Sequence, residues 1–192
     1  LLAYSSISQM GYILFGIGSM SVLGLSGAEM MYVTHALGKG ILFMMAGIII
    51  VKVGTRNISQ LGGLAGKMPI TAVCAVIGAL TIMGVPPTSG FMGEWTLFYV
   101  ALETAIEDGS TVRAVTFGLG LVATALTMSY ILWMLKRVFF GKLPENLENV
   151  KEGSWYMTAP MMVLAGFTIV LGIYPDIFFN QIIPYMNGVL GT

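Results

Sequence analysis

The stretch "GVPPTSGFMGEW", residues 84–95, decides how this chain folds. It interrupts an apolar window that runs from Ile70 to about Ile106, 37 residues in all. As one continuous helix such a window reaches roughly 55 Å, whereas the hydrocarbon core of a bilayer is about 30 Å thick. Adjacent prolines remove backbone donors and clash with the preceding turn. Pro86 and Pro87, flanked by Gly84 and Gly90, therefore predict a hinge where one helix stops and another starts. Backbone groups freed at such a break are tolerated in a membrane only where protein or a water-filled cavity covers them. Glu94 follows directly, a carboxylate in an otherwise apolar segment.

Working outward, long apolar windows span about Leu2 to Leu25, ending in the turn "LSGAE", and about Met30 to Val51, ending at Lys52 and Arg56. Downstream, two more span about Ala114 to Leu135 and about Tyr156 to Tyr174. The tail 175–192, "PDIFFNQIIPYMNGVLGT", reads as interfacial. Roughly 20 apolar residues cross a bilayer as a helix. The chain thus reads as an all-α polytopic membrane protein with about five transmembrane helices, one of them broken mid-membrane. Composition agrees. Only 9% of the 192 residues are charged and 56% are hydrophobic, with mean hydropathy +0.86, whereas soluble domains carry about 25% charged residues. The 25 glycines and 15 methionines suit helices packed closely in lipid.

Several classes are excluded. A net charge of zero leaves no basic patch for nucleic acid, so the expected surroundings are lipid and other membrane subunits. The single cysteine, Cys74, rules out an intrachain disulfide and reads as a small packing residue. No repeat of solenoid period is visible. No metal or iron–sulfur cluster of ligands, phosphate loop or nucleophile–base pair stands out, so no redox cofactor is expected in this chain. The opening "LLAYSSISQM" has neither a basic region nor a cleavage site, so it is not a signal peptide. With no initiator methionine, it reads as part of a longer polypeptide.

Loop charges predict the orientation. Lys52, Arg56, Lys67, Lys136, Arg137, Lys142 and Lys151 fall on one face, mixed with Glu145, Glu148 and Glu152. The opposite face has Arg113 alone among basic residues, beside Glu29, Glu103, Glu107, Asp108 and Asp176. That split of seven to one places the N-terminus on the cytoplasmic side and the C-terminus outside.

Two charges remain once those assigned to the loops are accounted for, Lys39 and Glu94. Each costs about 2.5–3.5 kcal/mol at a helix centre on insertion scales. Counted from Met30, Lys39 lies roughly 13 Å below the outer end of its helix. Snorkelling falls short of full hydration from there, which favours a functional lysine. His35, one turn earlier on the same face, is placed to exchange a proton with it, although a lone histidine is more often a satisfied packing residue. Glu94 reads either as a titrating group beside the break or as the fixed partner of a lysine elsewhere. Ser5, Ser6, Ser8 and Gln9 form a polar stripe that holds waters or ties helices together. Thr34, Thr124, Thr127, Ser129 and Tyr130 extend a candidate water path, although hydroxyls in helices commonly bond back to their own backbone. Trp95, Trp133 and Trp155 read as interfacial anchors. The candidate proton relay is therefore Lys39, His35 and Glu94, with Ser8, Gln9, Thr34, Thr124 and Tyr130 lining a polar path.

The motifs "LLAYSSISQMGY", "THALGKGILF", "GVPPTSGFMGEW" and "KRVFFGK" resemble, in this order, the antiporter-like subunits of respiratory complex I. The same family includes subunits of multisubunit Na⁺/H⁺ antiporters and the membrane arms of energy-converting hydrogenases and deazaflavin dehydrogenases. The resemblance implies that residues 1–192 are the C-terminal part of such a subunit, whose second inverted repeat contains the broken helix. It implies that Lys39 is a relay lysine, with His35 in the polar slot one turn before it, and that Glu94 is the terminal proton-exchange residue. Many members have lysine at this last position, and glutamate is similar to the complex I subunit called M. Gln9 stands where several members have histidine.

By that resemblance the chain is a non-redox subunit of a proton-translocating oxidoreductase in an energy-transducing membrane, that of a prokaryotic cell being favoured. Neighbouring antiporter-like subunits would be its partners, with flavin and iron–sulfur clusters held elsewhere in the assembly. The alternative it implies is a secondary Na⁺/H⁺ antiporter. A purely structural scaffold is a third reading, which the cost of burying Lys39 opposes.

Overall fold

Leu2–Ile17 forms α1 and Val22–Val53 forms α2, a continuous helix of 32 residues that is about 48 Å long by its axial rise. The turn between them lies at Gly18–Ser21 rather than at "LSGAE". Ser21 is the reason: its backbone is extended and its hydroxyl accepts from the Gly24 amide at 3.1 Å, the cap that starts α2. Ser26 bonds back to the Val22 carbonyl at 2.7 Å, so the polar residues read as a turn continue the helix. Glu29 is consequently part of α2 and half-buried, not a loop residue. At its far end α2 stops at Gly54, whose φ of 80° is the left-handed conformation that glycine adopts without strain.

The long window does divide in two. Pro69–Ile82 forms α3 and Ser89–Glu107 forms α4, and residues 83–88 connect them. Gly84 has φ +64°, and the Pro86–Pro87 peptide is cis. Gly90 lies against the Thr81 carbonyl, where any β-carbon would collide, so α4 begins directly beside the last turn of α3. The remaining helices are α5 (Thr111–Phe139), α6 (Trp155–Ile173) and α7 (Asp176–Leu190). The tail is thus a helix with no fully buried residue, resting on α2. Thr192 lies outside the described residues, which are 1–191 of the computed structural model.

α2 is the axis of the bundle, touching α1, α3, α4, α6 and α7. Its lower half carries the main core through Ile41, Leu42 and Ile48, with Met68, Ala75 and Phe139 from its neighbours. On the same side Glu152 closes the start of α3, accepting from the Ile70 amide at 2.8 Å and the Thr71 hydroxyl at 2.6 Å. Cys74 is buried in this core. α2, α5 and α6 are each long and apolar enough to cross a membrane. The outward rows of α5, such as Leu119, Val122 and Leu126, and the three tryptophans are exposed, which suits contact with lipid rather than water. This is a polytopic all-α membrane protein.

A buried polar file along α1

The buried residues of α1 are Ser5, Gln9, Tyr12 and Gly16, a single helical face at spacings of four, three and four. Lys39 meets this face at Ser5. It is the eighteenth residue of α2, about 26 Å from the start of that helix by axial rise, hence deeper than a boundary at Met30 implied. The side chain is 5% exposed. Its ammonium donates to the Leu2 carbonyl at 2.9 Å and to the Ser5 hydroxyl. The lysine therefore turns into the bundle instead of snorkelling outward.

Glu94 meets the same face at Tyr12. It lies on the second turn of α4 and is 8% exposed. One carboxylate oxygen accepts from the Thr124 hydroxyl of α5, and Thr124 lies 3.0 Å from the Tyr12 hydroxyl. The other oxygen folds back over Gly84, occupying the space a side chain there would need. That close approach, together with its positive φ, requires glycine at position 84. Between the two ends sits Gln9, 2% exposed. Its amide donates to the Ile82 carbonyl at 3.3 Å, at the end of α3, and its own carbonyl oxygen has no partner among the described residues. By axial rise the Lys39 and Glu94 contacts lie about 11 Å apart along α1.

Neither charge has a counter-ion among the described residues. Among the described residues the ion pair formed is Arg113–Asp108 at 3.1 Å, on the surface. A buried charge held only by neutral groups is expensive, and among the described residues no lysine pairs with Glu94. The hydroxyls beside Glu94 are instead reversible. With the carboxylate charged, Tyr12 donates to Thr124 and Thr124 to Glu94; with the carboxyl protonated, the chain can turn round, Glu94 donating to Thr124 and Tyr12 to the Gly120 carbonyl at 3.5 Å. Hydroxyl protons rotate to suit their partners.

The other sequence candidates divide. Thr124 joins Glu94 directly. Thr34 is buried but donates to its own helix, at Met31, 3.2 Å away. Ser8 is exposed at the edge of the buried face of α1. The His35 Nε2 and the Tyr130 hydroxyl are buried without a hydrogen-bond partner among the described residues, His35 within electrostatic range of Lys39 and Tyr130 within that of Tyr12. At the break, the Ser89, Thr168 and Thr81 hydroxyls bond in series at 2.6 and 3.1 Å. They tie α6 to both half-helices. Pro86 and Pro87 are exposed at the turn. The contact of Ser5 with Lys39 and the part played by Tyr12 were not assigned from sequence. The signal available was the spacing of Ser5, Gln9 and Tyr12 on one face.

Fold and file together define a helical membrane protein that buries two ionisable groups along one polar track. A family model described as "NADH:quinone oxidoreductase/Mrp antiporter, TM" matches residues 1–118, and the chain belongs to that family. It is 35% identical over 92% of its length to NAD(P)H-quinone oxidoreductase chain 4 1 of Synechococcus elongatus, of which it covers 33%. It is 34% identical, again over 92%, to F(420)H(2) dehydrogenase subunit M of Methanosarcina mazei, covering 34% of it. To a Na(+)/H(+) antiporter protein of Alkalihalophilus pseudofirmus it is 36% identical over its whole length, covering 26%. The chain thus spans about a third or less of these relatives. In three dimensions it resembles a chain of respiratory complex I from Thermus thermophilus (TM-score 0.83, 26% identity, covering 100% of this chain and 38% of that one). A chain of the Mrp complex from Dietzia has the same fold (TM-score 0.85, 22% identity, covering 98% and 42%).

Proposed function

We propose that this chain translocates protons across an energy-transducing membrane as part of a redox-driven, complex I-like assembly. Lys39 and Glu94 are its titrating groups. The observation that carries the reading is the file itself: two buried ionisable groups, neither with a counter-ion among the described residues, joined through one face of α1. Redox chemistry would take place in partner subunits that hold flavin and iron–sulfur clusters, a reading supported by the quinone oxidoreductase and F420H2 dehydrogenase relatives. In this reading α3 and α4 are the halves of one interrupted crossing, giving five crossings in all. The basic loops face the cytoplasm, and the α1–α2 turn faces outside. Neighbouring antiporter-like subunits and lipid cover the exposed apolar faces. His35 passes protons to Lys39, and Gly84, Pro86, Pro87 and Gly90 form the hinge.

The test uses the full-length protein in vesicles of its native membrane. Donor-driven acidification should be lost in Glu94→Gln and Lys39→Met while the complex still assembles. Unchanged coupled transport in both variants would leave a structural role only. A second reading, exchange of Na⁺ for H⁺ without a redox partner, is favoured by similarity to the Na(+)/H(+) antiporter protein over the whole chain. A sodium-dependent pH gradient formed without any electron donor would select it.

A further inference from the structure

A cavity of about 210 Å³ opens where the α1–α2 turn meets the end of α4 and the start of α5, its wall made of apolar Phe15, Val100 and Ala101 with Ser19, Thr104, Arg113 and Thr116 as polar groups, and with Leu97 at its inner side. At about 30 Å³ per water molecule it has room for several. Thr104 and Leu97 lie about 10 Å apart along α4, and Leu97 is only about 4.5 Å of axial rise from Glu94. An apolar cluster borders the cavity at Leu97. Leu97, 2% exposed, packs with Tyr12, Ala28 and Met31, and it fits closely because Gly16 and Gly27 offer no side chain at its methyl groups. The Tyr12 ring stands edge-on to Phe98, centroids 6.2 Å apart, and its hydroxyl points the other way, into the Thr124–Glu94 chain. Arg113 at the rim is paired with Asp108, so it does not present a bare positive charge to an arriving proton.

We infer that this cavity is the aqueous vestibule through which Glu94 exchanges protons with the side of the α1–α2 turn, and that Leu97, with the ring of Tyr12, is its closable floor. The inference rests on Glu94 being the titrating group. Apolar constrictions gate by excluding water. A shift of Leu97 would join the vestibule to the Tyr12–Thr124–Glu94 hydroxyls, and its return would isolate them.

The experiment uses the full-length protein in native-membrane vesicles, with Cys74 replaced by alanine. A charged, membrane-impermeant methanethiosulfonate added on the side of the α1–α2 turn should modify Thr104→Cys and Thr116→Cys. Leu97→Cys should react at least about tenfold more slowly, because thiol reactivity follows access. Leu97→Ala, or the milder Leu97→Val, should raise passive proton conductance, and a further Glu94→Gln should abolish that rise. No reaction at positions 104 and 116 would overturn the vestibule, and reaction at 97 as fast as theirs would overturn its closed floor. A Leu97 variant without added conductance would overturn the floor. Added conductance that persists in Glu94→Gln would show a leak bypassing the carboxylate. Labelling needs no turnover, so failure of the proton-pumping reading and failure of the vestibule are told apart.

Discussion

The two ends of the file solve the same problem by different means. Lys39 sits mid-way along a helix of 32 uninterrupted residues. It is held by acceptors alone, a backbone carbonyl and a serine oxygen. Glu94 sits on the second turn of a helix that starts at Ser89, held by a donor that is itself part of a hydroxyl chain, with a glycine of the hinge at its back. The lysine end is anchored to continuous secondary structure. The carboxylate end is built on the joint between two half-helices, one turn from an apolar cluster that borders a cavity. A charge that needs to face alternate sides is better placed at a joint, because a small change of backbone angle there moves the group, whereas in a long helix it bends many hydrogen bonds.

The largest expected effect is that of Glu94→Gln. The amide keeps the shape and can still accept from Thr124 but cannot exchange a proton, so coupled transport should fall by about a hundredfold, with assembly intact on native gels. Wild-type rates would remove the distinction between the ends. Lys39→Met should also abolish coupled transport, yet without loss of thermal stability in detergent: Ser5 retains its 2.9 Å bond to the Leu2 carbonyl, and no partner charge is stranded. A large drop in melting temperature would show that the ammonium is a structural tie. Gly84→Ala forces the carboxylate to move and puts a β-carbon at positive φ, so it should cost about 1–3 kcal/mol and slow transport. Gly47→Ala, at an uncrowded helical position, is the control that should do neither. Tyr12→Phe removes one hydroxyl from the Glu94 end, for about 1 kcal/mol of stability and a several-fold slower rate. An unchanged rate would take Tyr12 out of the proton route. Ser8→Ala, on the exposed side of α1, should stay within about 0.5 kcal/mol and leave transport untouched.

Much of this was legible in the residues. The double proline with its flanking glycines gave the division of the long window, and two charges among apolar residues gave the ends of the file. The first boundary was misplaced because "LSGAE" has the composition of a turn, while the capping Ser21 four residues upstream sets the actual start of α2. Ser8 and Ser5 could not be separated without knowing which face of α1 meets α2. Tyr12 was invisible as a site residue because its partner Thr124 is 112 positions away, and no local pattern links residues on different helices.

By itself the sequence determined the solvent of this protein and the cost of its charges. Transfer from water depends on residue type and run length, and both are written locally. Only the tertiary structure decided which neutral groups surround each charge, that neither has a counter-ion among the described residues, and that Leu97, one turn from Glu94, lines a cavity. Those properties depend on the rotation and depth of each helix against its neighbours, which side-chain packing sets.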